Sequence, residues 1–185
     1  MSNEQKPSAW TTVQDGLRED YHVLKIRRDI RRHDGDGRVG EFVIIDTPRW
    51  VNILPITVDG NVVLVEQFRQ GIRALSLEIP GGLVDATEDP RDAAERECTE
   101  ETGFASSERA ELLGEIHPNP AYQSTRCSLF VWNGCKRVSE QRLDDGEDIR
   151  IVEMPMDEML EKVRNGTIRH ALVLGAVALW LLQKK

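Results

Sequence analysis

"IPGGLVDATEDPRDAAERECTEETGF", Ile79–Phe104, packs eight carboxylates into about one loop and one helix. The helix is clearly punctuated. Asp89 is a good N-cap, Pro90 suits the first helical position, and Gly103 stands where a C′ glycine belongs. Several of the acidic residues crowd its C-terminal end, where the macrodipole disfavours negative charge. At about 100° per residue, Ala93, Ala94, Glu97, Cys98 and Glu101 share one side. That side carries the small apolar residues and should pack on a sheet, leaving Glu97 and Glu101 partly buried and mutually repulsive. Arg96 is expected to face elsewhere, near Glu100, with nothing basic beside the pair. A solvated acidic face is the plain alternative, and the phase of the helix opposes it. A bound hard cation resolves the conflict, because Mg²⁺ takes carboxylate oxygens and keeps waters and substrate phosphates as its other ligands. Gly81 and Gly82, having no Cβ, let the preceding loop fold tightly and bring a backbone carbonyl towards that ion.

The flanking segments read as strands and two further helices. "DYHVLKIRRDIRRHDGDGRVGEFVIID" offers two strand-like runs broken by an Asp-Gly hairpin signal. "WVNILPIT" and "VVLVEQF" are apolar strands joined across "VDGN", a second hairpin signal. "LSLEIP" is a short strand entering the glycine pair, and "ELLGEIH", "TRCSLFVWN" and "IRIVEMP" follow the acidic helix as strands. "MDEMLEKVRNG" and "ALVLGAVALWLL" predict two closing helices. This mixed order predicts an α+β chain with an α/β/α sandwich. Residues 1–47 are expected to form a separate small antiparallel β region, and 48–185 the main domain.

Composition limits what such a chain can do. At 185 residues it can bury a substantial core, and its 39% hydrophobic content suits a globular protein. A net charge of −8 argues against nucleic acid or an anionic membrane as partner, since either requires a basic patch. An anionic substrate would then need divalent cations between it and the protein. Cys98, Cys127 and Cys135 cannot all pair within one chain, and with the four histidines they match no zinc spacing. Free thiols in a reducing cytoplasm are expected. "MSNEQKPSAW" has no apolar core of a secretion signal, and the run at Ala171–Leu182 is too short to span a bilayer.

Gly82, Glu88, Arg96-Glu97, Glu100-Glu101 and Gly103 together resemble the Nudix box of the Nudix hydrolase superfamily. Cys98 and Phe104 stand where aliphatic residues are usual. The resemblance implies an αβα sandwich with a mixed central sheet and Mg²⁺-dependent hydrolysis of a nucleoside diphosphate linked to another group, with Mn²⁺ as a substitute ion. It implies metal binding by Glu97, Glu101 and the Gly81 carbonyl, with Glu100 acting directly or through water. Glu88 and Arg96 would brace the loop and helix.

Likeness extends to the branch that cleaves ADP-ribose and nucleoside diphosphate sugars. "VVLVEQFRQG" resembles that branch's strand and turn, which implies diphosphate contact by Arg69. Pro120 in "HPNPAY" matches its proline, while Tyr122 keeps dinucleoside polyphosphates in view. "LDDGEDIRIVEMP" resembles the late loop with a further catalytic carboxylate, which implies Glu147 at the metal and Asp145 as the general base, with Glu140 an outside candidate. The branch also implies a homodimer whose N-terminal region helps bind the base. Trp10, Tyr21, Phe42 and Trp50 are the aromatic residues ahead of the core. Cleavage of nucleoside triphosphates and a non-catalytic nucleotide sensor are the alternatives.

Overall fold

The structure is a computed structural model that describes residues 6–183. Residues 1–5 of the N-terminal stretch read for a secretion signal, and the last two residues of the chain, lie outside the described residues. Two compact units emerge: Met1–Pro48 with Asn119–Thr125, and Arg49–Pro118 with Arg126–Lys185.

The first unit is a three-stranded antiparallel sheet in the order β1-β2-β3, made of β1 (Trp10–Asp20), β2 (Lys25–His33) and β3 (Val39–Asp46). The Asp-Gly signal closes β2 onto β3, with Gly37 at φ +75° and its N–H donating to the His33 carbonyl at 2.9 Å. Sequence patterning did not reveal β1. It alternates poorly, and register shifts interrupt its pairing between Thr12 and Gln14 and between Asp15 and Arg18. Asn119–Thr125 joins this unit through Ile45, whose N–H donates to the Tyr122 carbonyl at 2.7 Å.

The second unit is a sandwich around an eight-stranded mixed sheet. Its strands are β4 (Trp50–Thr57), β5 (Asn61–Arg69), β6 (Ala74–Glu78), β7 (Gly81–Leu83), β8 (Phe104–Ala105), β9 (Glu111–Ile116), β10 (Cys127–Arg137) and β11 (Ile149–Pro155). The main path runs β11-β5-β4-β10-β8, with β6 on β5, β7 on β4 and β9 on β10. The β10–β4 pairing is parallel; the other pairings in the sheet are antiparallel. Gly81 and Gly82, expected as a loop, are strand residues paired with Asn52 and Val51. Their lack of side chains is what lets β7 lie this close: a Cβ on Gly81 would collide with the Val51 carbonyl.

Strand alternation splits the core into two layers. Val51, Ile53, Val63, Phe130 and Trp132 pack with Ala93, Ala94 and Cys98 of α1 (Pro90–Thr102). Leu54, Val62, Leu64, Leu129 and Val131 pack on the opposite face with Met159 of α2 (Met156–Arg164) and Val173, Ala176, Val177 and Trp180 of α3 (Ala171–Gln183). Each large aliphatic side chain buried this way contributes roughly 1.5–3 kcal/mol. The result is the α+β sandwich that the residue pattern predicts, with the mixed central sheet that the resemblance implies. All three cysteines are free and buried, and burial pushes the Cys127 and Cys135 thiols up to about 12. Among the described residues no helix is long and apolar enough to cross a membrane.

Candidate active site

The acidic helix starts and stops where its caps dictate. The Asp89 carboxylate accepts from the Arg91 N–H at 2.9 Å, Pro90 opens the helix, and Gly103 at φ 72° donates to the Thr99 carbonyl at 2.9 Å. With Ala93, Ala94 and Cys98 fully buried, the phase is fixed and Glu101 is left only 4% exposed. Its Oε2 accepts the Gly81 N–H at 3.0 Å. Burial drives the Glu101 carboxyl up to about 8, the Gly81 N–H opposes this, and repulsion from Glu97 and Glu147 adds to the rise. Burial also raises Glu97, against the pull of Arg96. Asn52, 3% exposed, donates to the carbonyls of Ile79 and Pro80 at 3.2 and 3.3 Å and so holds the chain entering β7.

A cavity of about 360 Å³ gathers Arg69, Gly81, Gly82, Glu97, Glu101 and Glu147 on one wall-lining set, with Trp50, Gln67 and Asp144 also contributing. The expected direction of Arg96 needs correction. Arg96 does not face away from the pair: it donates to Glu97 and Glu100 at 3.0 Å each, and to both oxygens of Glu88 at 3.0 Å. A long guanidinium side chain reaches well beyond the sector its Cα occupies. Glu100, expected at the ion, is thereby held on Arg96 and does not line the cavity. Asp144, Asp145 and Glu147 are all exposed, and of the three Asp144 and Glu147 line the cavity, in a turn where the Glu147 N–H donates to the Asp144 carbonyl and the Asp144 N–H to the Glu147 carboxylate. Glu140 is exposed and pairs with Arg137.

Arg69 does line the cavity, but its Nε and Nη2 are committed to Glu78 at 2.9 and 2.6 Å. Glu78 is 1% exposed; burial favours its neutral form, and Arg69 with the other partners outweighs that and keeps it low. Glu78 was not singled out from the sequence, although a lone acid in the apolar strand "LSLEIP" was the available signal. Pro120 and Tyr122 are exposed and fall in Asn119–Thr125, which belongs with the N-terminal unit. In that unit Trp10 packs edge-on against Phe42 and His33, with ring centroids 5.0 Å apart in both pairs, and Arg38 lies over its face at 5.4 Å.

The donor set suits a hard divalent cation. Glu97, Glu101 and Glu147 offer carboxylate oxygens in one cavity, and two of them are held up by burial and mutual repulsion that a cation would relieve. Among the described residues, no three His, Cys, Asp or Glu side chains are already gathered into metal-holding geometry. Arg96 and the Gly81 N–H occupy oxygens that a cation would compete for.

Comparison with known proteins gives the chain a family. Residues 46–173 match the NUDIX domain. The chain is 31% identical over 150 residues to the methanol dehydrogenase activator of Bacillus methanolicus, covering 80% of each. It is 32% identical over 165 residues to the GDP-mannose pyrophosphatase of Cronobacter sakazakii, covering 84% of this chain and 85% of the relative. The ADP-ribose pyrophosphatase of Bacillus subtilis is 26% identical over 151 residues, covering 81% of this chain and 80% of the relative. The crystal structure of an ADP compounds hydrolase superposes with a TM-score of 0.83 over 98% of both chains at 21% identity, a likeness of fold. Box, fold and relatives converge: the chain belongs to the NUDIX domain family.

Proposed function

We propose that this chain is a Mg²⁺-dependent pyrophosphohydrolase that cleaves the diphosphate of ADP-ribose or a nucleoside diphosphate sugar, releasing a nucleoside monophosphate and a sugar phosphate. The observation that carries the reading is the buried Glu101, raised to about 8, in one cavity with Glu97, Glu147 and Arg69. Relatives named ADP-ribose pyrophosphatase and GDP-mannose pyrophosphatase support the substrate class. Enzymes of the family generally use divalent metals.

Glu97, Glu101, Glu147 and the Gly81 carbonyl would hold Mg²⁺, or Mn²⁺ in its place. When bound, the ion lowers the pKa of an attacking water and neutralises charge on diphosphate oxygens. The chain's own groups do the rest. Arg69, its Nε edge fixed by Glu78, turns its remaining N–H groups to a phosphate oxygen. A carboxylate of the Asp144–Glu147 loop takes the proton of the attacking water; Asp145 remains the candidate that the resemblance names, and Asp144 the one lining the cavity. A phosphorus–oxygen bond forms to that water, and the bond to the bridging oxygen breaks. Glu88 and Glu100 hold Arg96 beside the cluster, and Glu100 is carried by the resemblance as acting at the ion directly or through water. Pro120 and Tyr122 are carried as substrate contacts by the resemblance alone, as are dimerisation and base binding by residues 1–47.

The net charge of −8 favours a partner other than nucleic acid or an anionic membrane, and the free thiols favour the cytoplasm; we place the enzyme there as a homodimer. A panel of ADP-ribose, GDP-mannose, UDP-glucose and a nucleoside triphosphate, run in ¹⁸O water with product identification, tests the reading. Faster cleavage of the triphosphate would replace it with nucleotide sanitation. Binding without cleavage of any would replace it with a sensor. The likeness to the methanol dehydrogenase activator favours a second reading, action on a dehydrogenase. Acceleration of methanol dehydrogenase by the added protein would support that one.

A further inference from the structure

Helix α1 ends in carbonyls that have no partner within the helix, and the segment after β10 supplies donors to them. The N–H groups of Val138 and Ser139 reach the carbonyl of Gly103, the residue that caps α1, at 2.8 and 3.2 Å, and that of Arg142 reaches the Glu100 carbonyl at 2.8 Å. Between them, the Gln141 side-chain amide nitrogen donates to the Glu101 carbonyl at 2.7 Å and to the Ile149 carbonyl at 3.2 Å. Both partners are acceptors only, so the nitrogen, not the oxygen, must point there. One partly buried amide therefore joins the last turn of α1 to the first residue of β11.

The loop bracketed by these bonds carries Asp144 and Glu147, which line the cavity with Glu97 and Glu101 of α1. The Asp144–Glu147 turn satisfies itself through the Glu147 N–H and the Asp144 N–H, so its internal bonds do not set its distance from the helix. We infer that Gln141 is a positioning residue that holds the carboxylates of the late loop in register with those of the acidic helix. It touches no reacting atom, and its role rests on the proposed reading of these carboxylates as the hydrolytic set. The same donors also offset the negative end of α1, where three glutamates stand in the last two turns.

Gln141→Met keeps length and bulk and removes the N–H donors. In the metal-free protein, amide hydrogen exchange across residues 142–148 should quicken by about tenfold, while Ala94 and Cys98 in α1 stay as protected as before. With ADP-ribose and saturating Mg²⁺, kcat should fall by about tenfold and KM should stay within about twofold. Gln141→Lys, whose ammonium can donate to both carbonyls, should restore slow exchange and most of kcat. Unchanged exchange in Gln141→Met overturns the inference, as does faster exchange with unchanged kcat. Faster exchange throughout the sandwich also overturns it, since the residue would then be a general stabiliser. A Gln141→Lys protein that restores neither property counts the same way. Wild-type protein inert towards every diphosphate would remove the functional reading and leave the exchange comparison to decide the strap itself.

Discussion

The carboxylate of Glu97 occupies the space that a Cβ on Gly82 would need. The glycine is thus required by a side chain across the cavity wall, not by its own backbone angles. Gly82→Ala should force Glu97 aside. The displaced atoms are the tip of a flexible side chain, so stability should change by no more than about 1 kcal/mol. Turnover should fall by about tenfold or more, because Glu97 would leave its place among the carboxylates. Thermal unfolding and kcat on one diphosphate substrate check both halves. A Gly82→Ala protein with full activity would show that the position of Glu97 is not critical.

Glu101 predicts a pH dependence of the metal-free protein. Its carboxyl titrates at about 8 when folded and near the ordinary carboxylate value of 4.5 when unfolded, so the folded state holds the extra proton between the two. Stability is therefore fully present below about 4.5 and is lost as pH rises through about 8. Glu97, also raised by burial, contributes with the same sign. In the presence of a chelator, unfolding free energy measured from pH 5 to 9 should decline, and Glu101→Gln should remove most of the decline. Mg²⁺ should stabilise the protein more at pH 8 than at pH 6, because the ionised carboxylates are the form that binds it.

Arg69 and Glu78 form a pair with unequal exposure, 39% and 1% for their side chains. Removing the arginine strands a buried carboxylate, and His170, 3.6 Å away, is no full replacement. Arg69→Ala should cost about 2–3 kcal/mol of stability and weaken substrate binding by tenfold or more. Arg69→Ala combined with Glu78→Gln should recover most of the stability and none of the binding. Denaturant titration and KM separate the two effects. Recovery of both by the double substitution would mean that Arg69 serves the fold alone.

The elements that could be read from sequence are those set by neighbours in the chain. The limits of α1 follow from Asp89, Pro90 and Gly103, and the hairpins from Gly37 and Gly60, both at positive φ. The inward turn of Glu97 and Glu101 followed from the alanines beside them. What was not legible depends on reach and on backbone bonding between distant segments. Arg96 wraps round to Glu97 with its long side chain, and Arg69 finds Glu78 only once β5 and β6 pair. Whether Asp144 or Asp145 faces the cavity is decided by the turn closed onto Glu147, which propensity cannot resolve. Strand β1, bulged and mostly polar, needs the pairing supplied by β2 to exist at all.

The most direct test compares wild-type protein with Glu101→Gln on ADP-ribose in saturating Mg²⁺, following AMP and the sugar phosphate. The substitution preserves shape and removes one buried, ion-seeking charge. Wild-type protein should release both products, and Glu101→Gln should lower kcat by at least about 100-fold while remaining folded. Equal rates from the two proteins, or no products from the wild type, would contradict the account.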